Sequence, residues 1–244
     1  MKELLKANAL EFGYVAGKKF AEAFDFSLCA GEVVALMGEN GCGKSTLLKT
    51  FAGILVPLRG DVLIAGKNVH DRVGGYSLQE LSKKVSLMRM NMAPPDRITV
   101  REFVSLGRTP YAGIFDGRTK EDESAIEQSM ELLDVKKYAD RLLCELSDGE
   151  RTRVYLAESI AQSVDVLLLD EPNAFLDIPR SHILFRTLRE LAVSRSMGIV
   201  VSTHSVDYAL RYSDRIMVID GGKVKISAAN SARDDGILDW AFVE

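Results

Sequence analysis

The stretch GENGCGKST, residues 38–46, constrains the fold of this chain more than any other segment. It follows the apolar run VVALM and precedes TLLKTFAGI, so the pattern G-x-x-x-x-G-K-[ST] sits between a strand-like and a helix-like segment. Gly41 and Gly43 let the backbone wrap and aim its N–H groups at phosphate oxygens, while Lys44 supplies a mobile positive charge for the outer phosphates. The Ser45 hydroxyl can reach Mg2+, and the helix that starts here adds its partial positive charge and unpaired N–H groups. The pattern predicts a nucleotide-binding loop built from Gly38, Asn40, Gly41, Cys42, Gly43, Lys44, Ser45 and Thr46. Cys42, beside Lys44 and a helix N-terminus, is either a thiol drawn toward thiolate or an inert small residue.

Further apolar runs, EVVALM at 32–37, DVLIAG at 61–66, VDVLLLD at 164–170 and GIVVST at 198–203, alternate with helix-like segments. Continuous apolar runs suit strands covered on both faces, so the alternation predicts an α/β domain with a largely parallel sheet. Residues 99–161 differ, with helical patterning in TVREFVSLG, KEDESAIEQSMELLDV and GERTRVYLAESIAQ, and read as a helical insertion between two halves of the sheet. Gly221 and Gly222 in MVIDGGKVKI read as a two-residue hairpin turn. With 244 residues, 47% of them hydrophobic, the chain can bury a full core. A net charge of -4 provides no basic excess for nucleic acid. The opening MKELLKANALEFGY lacks a signal-peptide core and no apolar run approaches the ~18 residues of a membrane span, so the expected location is the cytoplasm. Cys29, Cys42 and Cys144 show no C-x-x-C spacing and are expected as free thiols.

The run VLLLDEPNAFLD, residues 166–177, stops on Asp170 and Glu171. If its strand lies beside the strand of the phosphate loop, both acids open at the sheet edge where ligands of α/β folds bind. Asp170 would then hold Mg2+, directly or through water, and Glu171, turned elsewhere by strand alternation, would orient and deprotonate an attacking water. The competing reading is an acidic turn closed by Pro172. His204, after GIVVST, should emerge at the same edge and either bond a γ-phosphate or hold Glu171 and its water; His70 and His182 read as surface residues. In LSDGER, residues 146–151, Ser147 and Glu150 form a capping box for a helix with Val154, Ala157, Ile160 and Ala161 on its apolar side. A glycine-containing helix start that carries a hydroxyl is also an anion site.

GENGCGKST, LSDGE, LLLDEP, FLD at 175–177 and His204 stand in the order and spacing of the ATP-binding subunits of ABC transporters, which the chain resembles over nearly its whole length. The resemblance implies an α/β P-loop fold with a mixed, largely parallel sheet, an antiparallel β portion and a helical insertion. One ABC domain would span 1–244, with 1–90 and 162–244 as nucleotide-binding core and 91–161 as helical subdomain. It implies ATP and Mg2+ as cofactors, Glu171, His204 and Lys44 as catalytic residues, and Ser45 and Asp170 at the metal. It further implies a homodimer clamping two ATP molecules head to tail, so that Ser147 and the Gly149 N–H meet the γ-phosphate on the other copy and Asp177 lies between copies. Tyr14, in EFGY, matches the aromatic residue that stacks on adenine, with core packing as the alternative.

Three positions depart from that family. Met90 stands where a glutamine contacts Mg2+, and a thioether is a poor ligand for so hard a cation, so Asn91 or water would substitute. Asp148 and Glu150 replace neutral residues of the signature LSGGQ, and Asp148 should repel a γ-phosphate. Hydrolysis with altered coupling is the expectation. Residues 99–122, GRTPY above all, are similar to the insertion of ATPase subunits serving importers of iron-siderophores, haem and cobalamin. That similarity implies two membrane permease subunits, a separate substrate-binding protein and a place on the cytoplasmic face of a bacterial inner membrane. The surface from Met90 to Arg97, with the insertion, would touch the permease. A soluble ABC-type ATPase would usually carry two cassettes or a long coiled coil, a GTPase would carry NKxD, and neither signal is present. A clamp subunit that binds ATP without turnover is supported by Met90 and Asp148 and opposed by Glu171 and His204.

Overall fold

The computed structural model describes residues 2–14, 17–71, 74–89, 96–112 and 117–242. Strands β1 (Glu3–Glu11), β2 (Gly13–Tyr14), β3 (Lys18–Lys19), β4 (Phe24–Cys29) and β5 (Val33–Gly38) lead to helix α1 (Lys44–Phe51). Then come β6 (Arg59–Ile64), β7 (Lys67–Asn68), α2 (Leu78–Ser82) and β8 (Val85–Arg89). Helices α3 (Val100–Ser105), α4 (Lys120–Leu132) and α5 (Asp148–Ala161) follow, with 3-10 turns at Leu106–Tyr111, Lys136–Tyr138 and Leu143–Glu145 between them. The last part alternates: β9 (Val166–Asp170), α6 (Ile178–Arg195), β10 (Gly198–Ser202), α7 (Val206–Tyr212), β11 (Arg215–Asp220) and β12 (Lys223–Ala228).

Six strands form the central sheet in the order β12-β11-β5-β10-β9-β8, parallel throughout except for β12. All of β5 and β10 is buried, which is why their sequences run apolar without alternation. Leu167, Leu169, Ile199 and Val201 face one way, onto Leu156 of α5 and Leu188 of α6. Leu168, Val200 and Leu36 face the other way, onto Leu47, Leu48 and Phe51 of α1 and onto Leu5 and Leu10 of β1. Each such buried leucine stabilises the fold by roughly 1.5–3 kcal/mol. The hairpin of β11 and β12 turns on Gly221 and Gly222 at φ 52° and 76°, as expected for a two-residue turn that only glycine enters at no cost.

Two expectations about the sheet are corrected. The run 61–66 contributes β6 to a separate antiparallel sheet, β4-β1-β6-β7, and not to the parallel one. Val62 and Ile64 point inward while Leu63 is half out, the one-sided burial of an antiparallel strand. The strand that ends on Asp170 is also not the neighbour of β5, because β10 lies between them. In register, Leu36 pairs with Ser202 and Leu169 with Val201, so Ser202 stands at the level of the acids.

In the helical stretch, α3, α4 and α5 each begin on a capping box, Thr99 with Glu102, Thr119 with Asp122 and Ser147 with Glu150. The expected apolar side of α5 is buried at Val154, Ala157, Ile160 and Ala161. Arg108 of GRTPY is buried as well, its guanidinium donating to Asp122 Oδ1 (2.8 Å) and to the Ala161 carbonyl (2.8 Å) and lying 3.7 Å over the Tyr111 ring. His70 and His182 are not surface residues. Both are half-buried; burial lowers the pKa of His70, and His182 Nδ1 lies 3.1 Å from the Tyr212 hydroxyl. The three cysteines are free thiols, and among the described residues no helix is long and apolar enough to cross a membrane.

Candidate functional site

The buried strand β5 delivers its last residue, Gly38, to the C-terminal edge of the sheet. Gly38, Gly41 and Gly43 adopt φ of 140°, 78° and 109°. A Cβ on Gly38 would stand 2.5 Å from the Ile219 carbonyl, and one on Gly43 would stand 2.6 Å from the Phe20 ring, so conformation and space both demand glycine. Lys44, 5% exposed, donates from Nζ to the carbonyls of Gly38 (2.8 Å) and Glu39 (3.0 Å), which fixes the ammonium inside the loop. Gly43 is the N-cap of α1 and has no side chain to cap it, leaving the first-turn N–H groups for an anion. Asn40 and Ser45 are exposed; Thr46 is buried and its hydroxyl lies 3.3 Å from that of Tyr14. Tyr14 is 46% exposed and meets Phe20 edge-on at 6.0 Å, so its ring is not core filler and has a face for a ligand. Burial pushes the Cys42 thiol up despite Lys44 and the loop N–H groups, which favours the inert alternative for Cys42.

The two acids are organised by a residue that the sequence reading missed. Ser202, fully buried at the end of β10, accepts the Glu171 N–H (2.8 Å) and donates its hydroxyl to Asp170 Oδ1 (2.9 Å). Its signal was a hydroxyl closing an apolar strand two residues before His204. Glu171 has φ 51°, a left-handed conformation that costs about 1 kcal/mol or more away from glycine. That turn, and not strand alternation, separates the two side chains, because β9 ends on Asp170. Glu171 Oε1 lies 3.0 Å from His204 Nε2, and Asn173, Ala174 and Ser205 line a small cavity beside the pair. This leaves Asp170 Oδ2 and the Ser45 hydroxyl without a hydrogen-bond partner among the described residues. Both are hard oxygen donors of the kind Mg2+ takes, one or two from protein and the rest from water and phosphate. The loop and the donor set fit Mg-ATP.

The LSDGE segment stands apart from this cradle. The N–H and hydroxyl of Ser147 both donate to Glu150 Oε2, at 2.9 and 2.7 Å. The Tyr138 hydroxyl and Ser147 hold the Glu150 carboxyl down to about 2. Asp148 is paired with Arg151 one turn along α5, which offsets the repulsion expected of it. Gly149 is buried, and a Cβ there would come within 3.2 Å of Arg180 and 3.4 Å of Leu176. Asp177 caps α6 by accepting the Arg180 N–H at 2.9 Å. Among the described residues, no hydrogen bond or ion pair joins Ser147, Gly149 or Asp177 to the phosphate loop, Glu171 or His204. Met90 and Asn91 lie outside the described residues.

The chain is similar to known proteins over most of its length. The family model described as "ABC transporter" matches residues 21–174. The achromobactin transport ATP-binding protein CbrD of Dickeya dadantii (strain 3937) is 34% identical over 240 residues, covering 98% of this chain and 86% of that protein. The ferric enterobactin transport ATP-binding protein FepC of Escherichia coli (strain K12) is 33% identical, covering 92% of this chain and 81% of its own length. Among solved structures, cbiO1 from Clostridium perfringens, part of the ABC transporter complex cbiONQ, shares the fold with a TM-score of 0.83 and 25% identity, over 97% of this chain and 92% of that one. The chain belongs to the ABC transporter family as an ATP-binding subunit, and it is an ATPase.

Proposed function

We propose that this ATPase powers the import of a metal chelate, of the iron-siderophore, haem or cobalamin class. The observation that carries the catalytic part is the Glu171–His204 pair at 3.0 Å, with Asp170 held on Ser202 one residue away. In this reading the phosphate loop binds the ATP phosphates, Lys44 neutralises the outer ones and Tyr14 stacks on adenine. Mg2+, when bound by Ser45 and Asp170, supplies further charge neutralisation at the phosphates. Glu171 accepts a proton from the attacking water, and His204 keeps the Glu171 carboxylate aimed. The contact between the base and its histidine supports turnover over the clamp without it.

Among the described residues no hydrogen bond or ion pair joins Ser147, Gly149 or Asp177 to the cradle of their own chain, which supports their acting on the ATP of a second copy in a head-to-tail homodimer. The core, 1–90 and 162–244, and the helical subdomain, 91–161, would move as separate parts of each copy. Two permease subunits would hold the dimer at the cytoplasmic face of a bacterial inner membrane, with a substrate-binding protein outside. The cargo reading is supported by the GRTPY turn and by relatives named for achromobactin and ferric enterobactin transport. It is tested with proteoliposomes containing the chain and its co-purified membrane subunits, assayed for ATP-driven uptake of a ferric siderophore, haem and cobalamin. Uptake of one of them, lost in Glu171→Gln, is the expected result; ATP hydrolysis with uptake of none would remove the cargo reading and leave the ATPase.

A further inference from the structure

A cavity of about 540 Å³ opens between the end of α4, the first half of α5 and the first half of α6, a size suited to a small organic ligand. Leu132, Leu133, Leu156, Leu176, Ile183 and Leu184 form its apolar walls. Leu133, Leu156 and Leu184 are buried, while Leu132 of α4 and Ile183 of α6 stay 49% and 51% exposed, so the rim is apolar and uncovered. Gly149 brings the start of α5 up to α6, since a Cβ there would stand 3.2 Å from both Cδ and Nη1 of Arg180.

The polar groups around the cavity are nearly all committed. Thr152 and Thr187 donate their hydroxyls one turn back, to the carbonyls of Asp148 and Ile183, at 2.9 Å each. The Tyr138 hydroxyl goes to Glu150, which also holds Ser147. Arg153 Nη1 reaches the Leu133 carbonyl at 3.2 Å and Asp134 Oδ2 at 3.3 Å, and Asp134 pairs with Lys137 as well. Arg180 is the exception. Its guanidinium has one ion pair, from Nε to Asp177 Oδ2 at 3.7 Å, too long for a hydrogen bond and between two exposed groups, where such pairs contribute little. Among the described residues no hydrogen bond leaves its side chain. Arg180 also stands in the first turn of α6, where the helix dipole opposes a positive charge. A rigid fork of donors is thus left beside an apolar cavity, and the occupant that complements both is an apolar body with one anionic group.

We propose that this cavity binds a small amphiphilic carboxylate, its apolar body between the leucines of α4, α5 and α6 and its carboxylate on the Arg180 guanidinium. The planar fork accepts a carboxylate through two parallel N–H···O bonds. The bound molecule joins the helix that starts at Ser147 to the helix capped by Asp177, and it slows turnover by holding the helical subdomain on the core. The effect on turnover rests on the proposed motion between those two parts; the binding does not.

The chain, its cradle saturated with Mg-ADP, is titrated calorimetrically with monomeric decanoate. Expected is a single saturable site, with n-decylammonium, the same tail under the opposite charge, at least about tenfold weaker. Arg180→Gln, at an exposed position, should weaken decanoate binding by about tenfold or more, the worth of a charge-assisted hydrogen bond. Ile183→Glu, a like charge on the exposed rim, should weaken it as well. Equal affinity for the two tails, or equal decanoate affinity in the parent and Arg180→Gln, overturns the site. With saturating Mg-ATP, decanoate should lower the ATPase rate of the parent severalfold and, at the same concentration, have no effect on that of Arg180→Gln. A parent that binds decanoate and hydrolyses ATP at an unchanged rate overturns the effect on turnover while upholding the site. Neither readout involves membrane subunits, so both stand apart from the importer reading.

Discussion

Ser202 is one buried hydroxyl serving two acids, and its removal should be felt at both. Ser202→Ala leaves the Glu171 N–H and Asp170 Oδ1 without their partner, at a cost of about 1–3 kcal/mol, and frees the carboxylates to drift. The expected result is an ATPase rate down by about tenfold or more, because small misplacements of reacting groups are costly. Denaturant unfolding and phosphate release measure the two effects separately. Glu171 itself offers a sharper separation of stability from activity. Its φ of 51° is a glycine conformation, so Glu171→Gly should relieve strain and stabilise by about 0.5–1 kcal/mol, roughly 2 °C in Tm, while removing the base. Glu171→Gln keeps the strain and should lose turnover without the gain in Tm. A Glu171→Gly protein that melts below the parent would mean that the His204 contact outweighs the backbone strain.

At the scale of elements, Asp122 joins a helix start to a buried cation. It closes the capping box of α4 with Thr119 and pairs with Arg108, and the Thr119 N–H, then Arg108, lower its carboxyl to about 2. A carboxyl depressed in the folded state stabilises above its unfolded value, near 3.8, and that stabilisation fades as pH falls through about 2. Asp122→Asn leaves Arg108 buried without a counter-ion and should cost about 3 kcal/mol at pH 7. Urea unfolding should show the gap between parent and variant narrowing between pH 4 and pH 2. Elements of this kind were legible in the sequence where their cause is local. The Ser147–Glu150 box, the Gly221–Gly222 turn and the phosphate loop each depend on residues a few positions apart. Strand order is not local, and an apolar run does not name its neighbour, so the run that forms β6 read as part of the parallel sheet and the adjacency of β9 to β5 could stand only as a condition, which β10 between them does not meet. Burial of polar groups was equally out of reach, since half-buried His70 and Glu158 are made so by elements distant in sequence.

At the scale of the whole molecule, no hydrogen bond or ion pair among the described residues joins the phosphate loop to the LSDGE helix start, and in the proposed head-to-tail dimer ATP would have to undo the Ser147–Glu150 contact. The Ser147 hydroxyl that would meet a γ-phosphate is donated to Glu150 at 2.7 Å, a charge-assisted bond of the stronger kind. Glu150→Gln replaces it with a neutral one, weaker by about 1 kcal/mol, which corresponds to between five- and tenfold in an equilibrium. In a Glu171→Gln background, which should block turnover and keep binding if Glu171 is the base, Mg-ATP should shift the mass of the chain in solution from monomer to dimer. Adding Glu150→Gln should bring that shift to a severalfold lower ATP concentration, because the hydroxyl is easier to withdraw from its own helix. Asp148 should matter less than its charge suggests, since Arg151 already holds it; Asp148→Asn is expected to move the midpoint by under threefold. A chain that binds ATP yet stays monomeric in both backgrounds would place the cost of closure on the membrane subunits, whose docking would then supply what ATP alone does not.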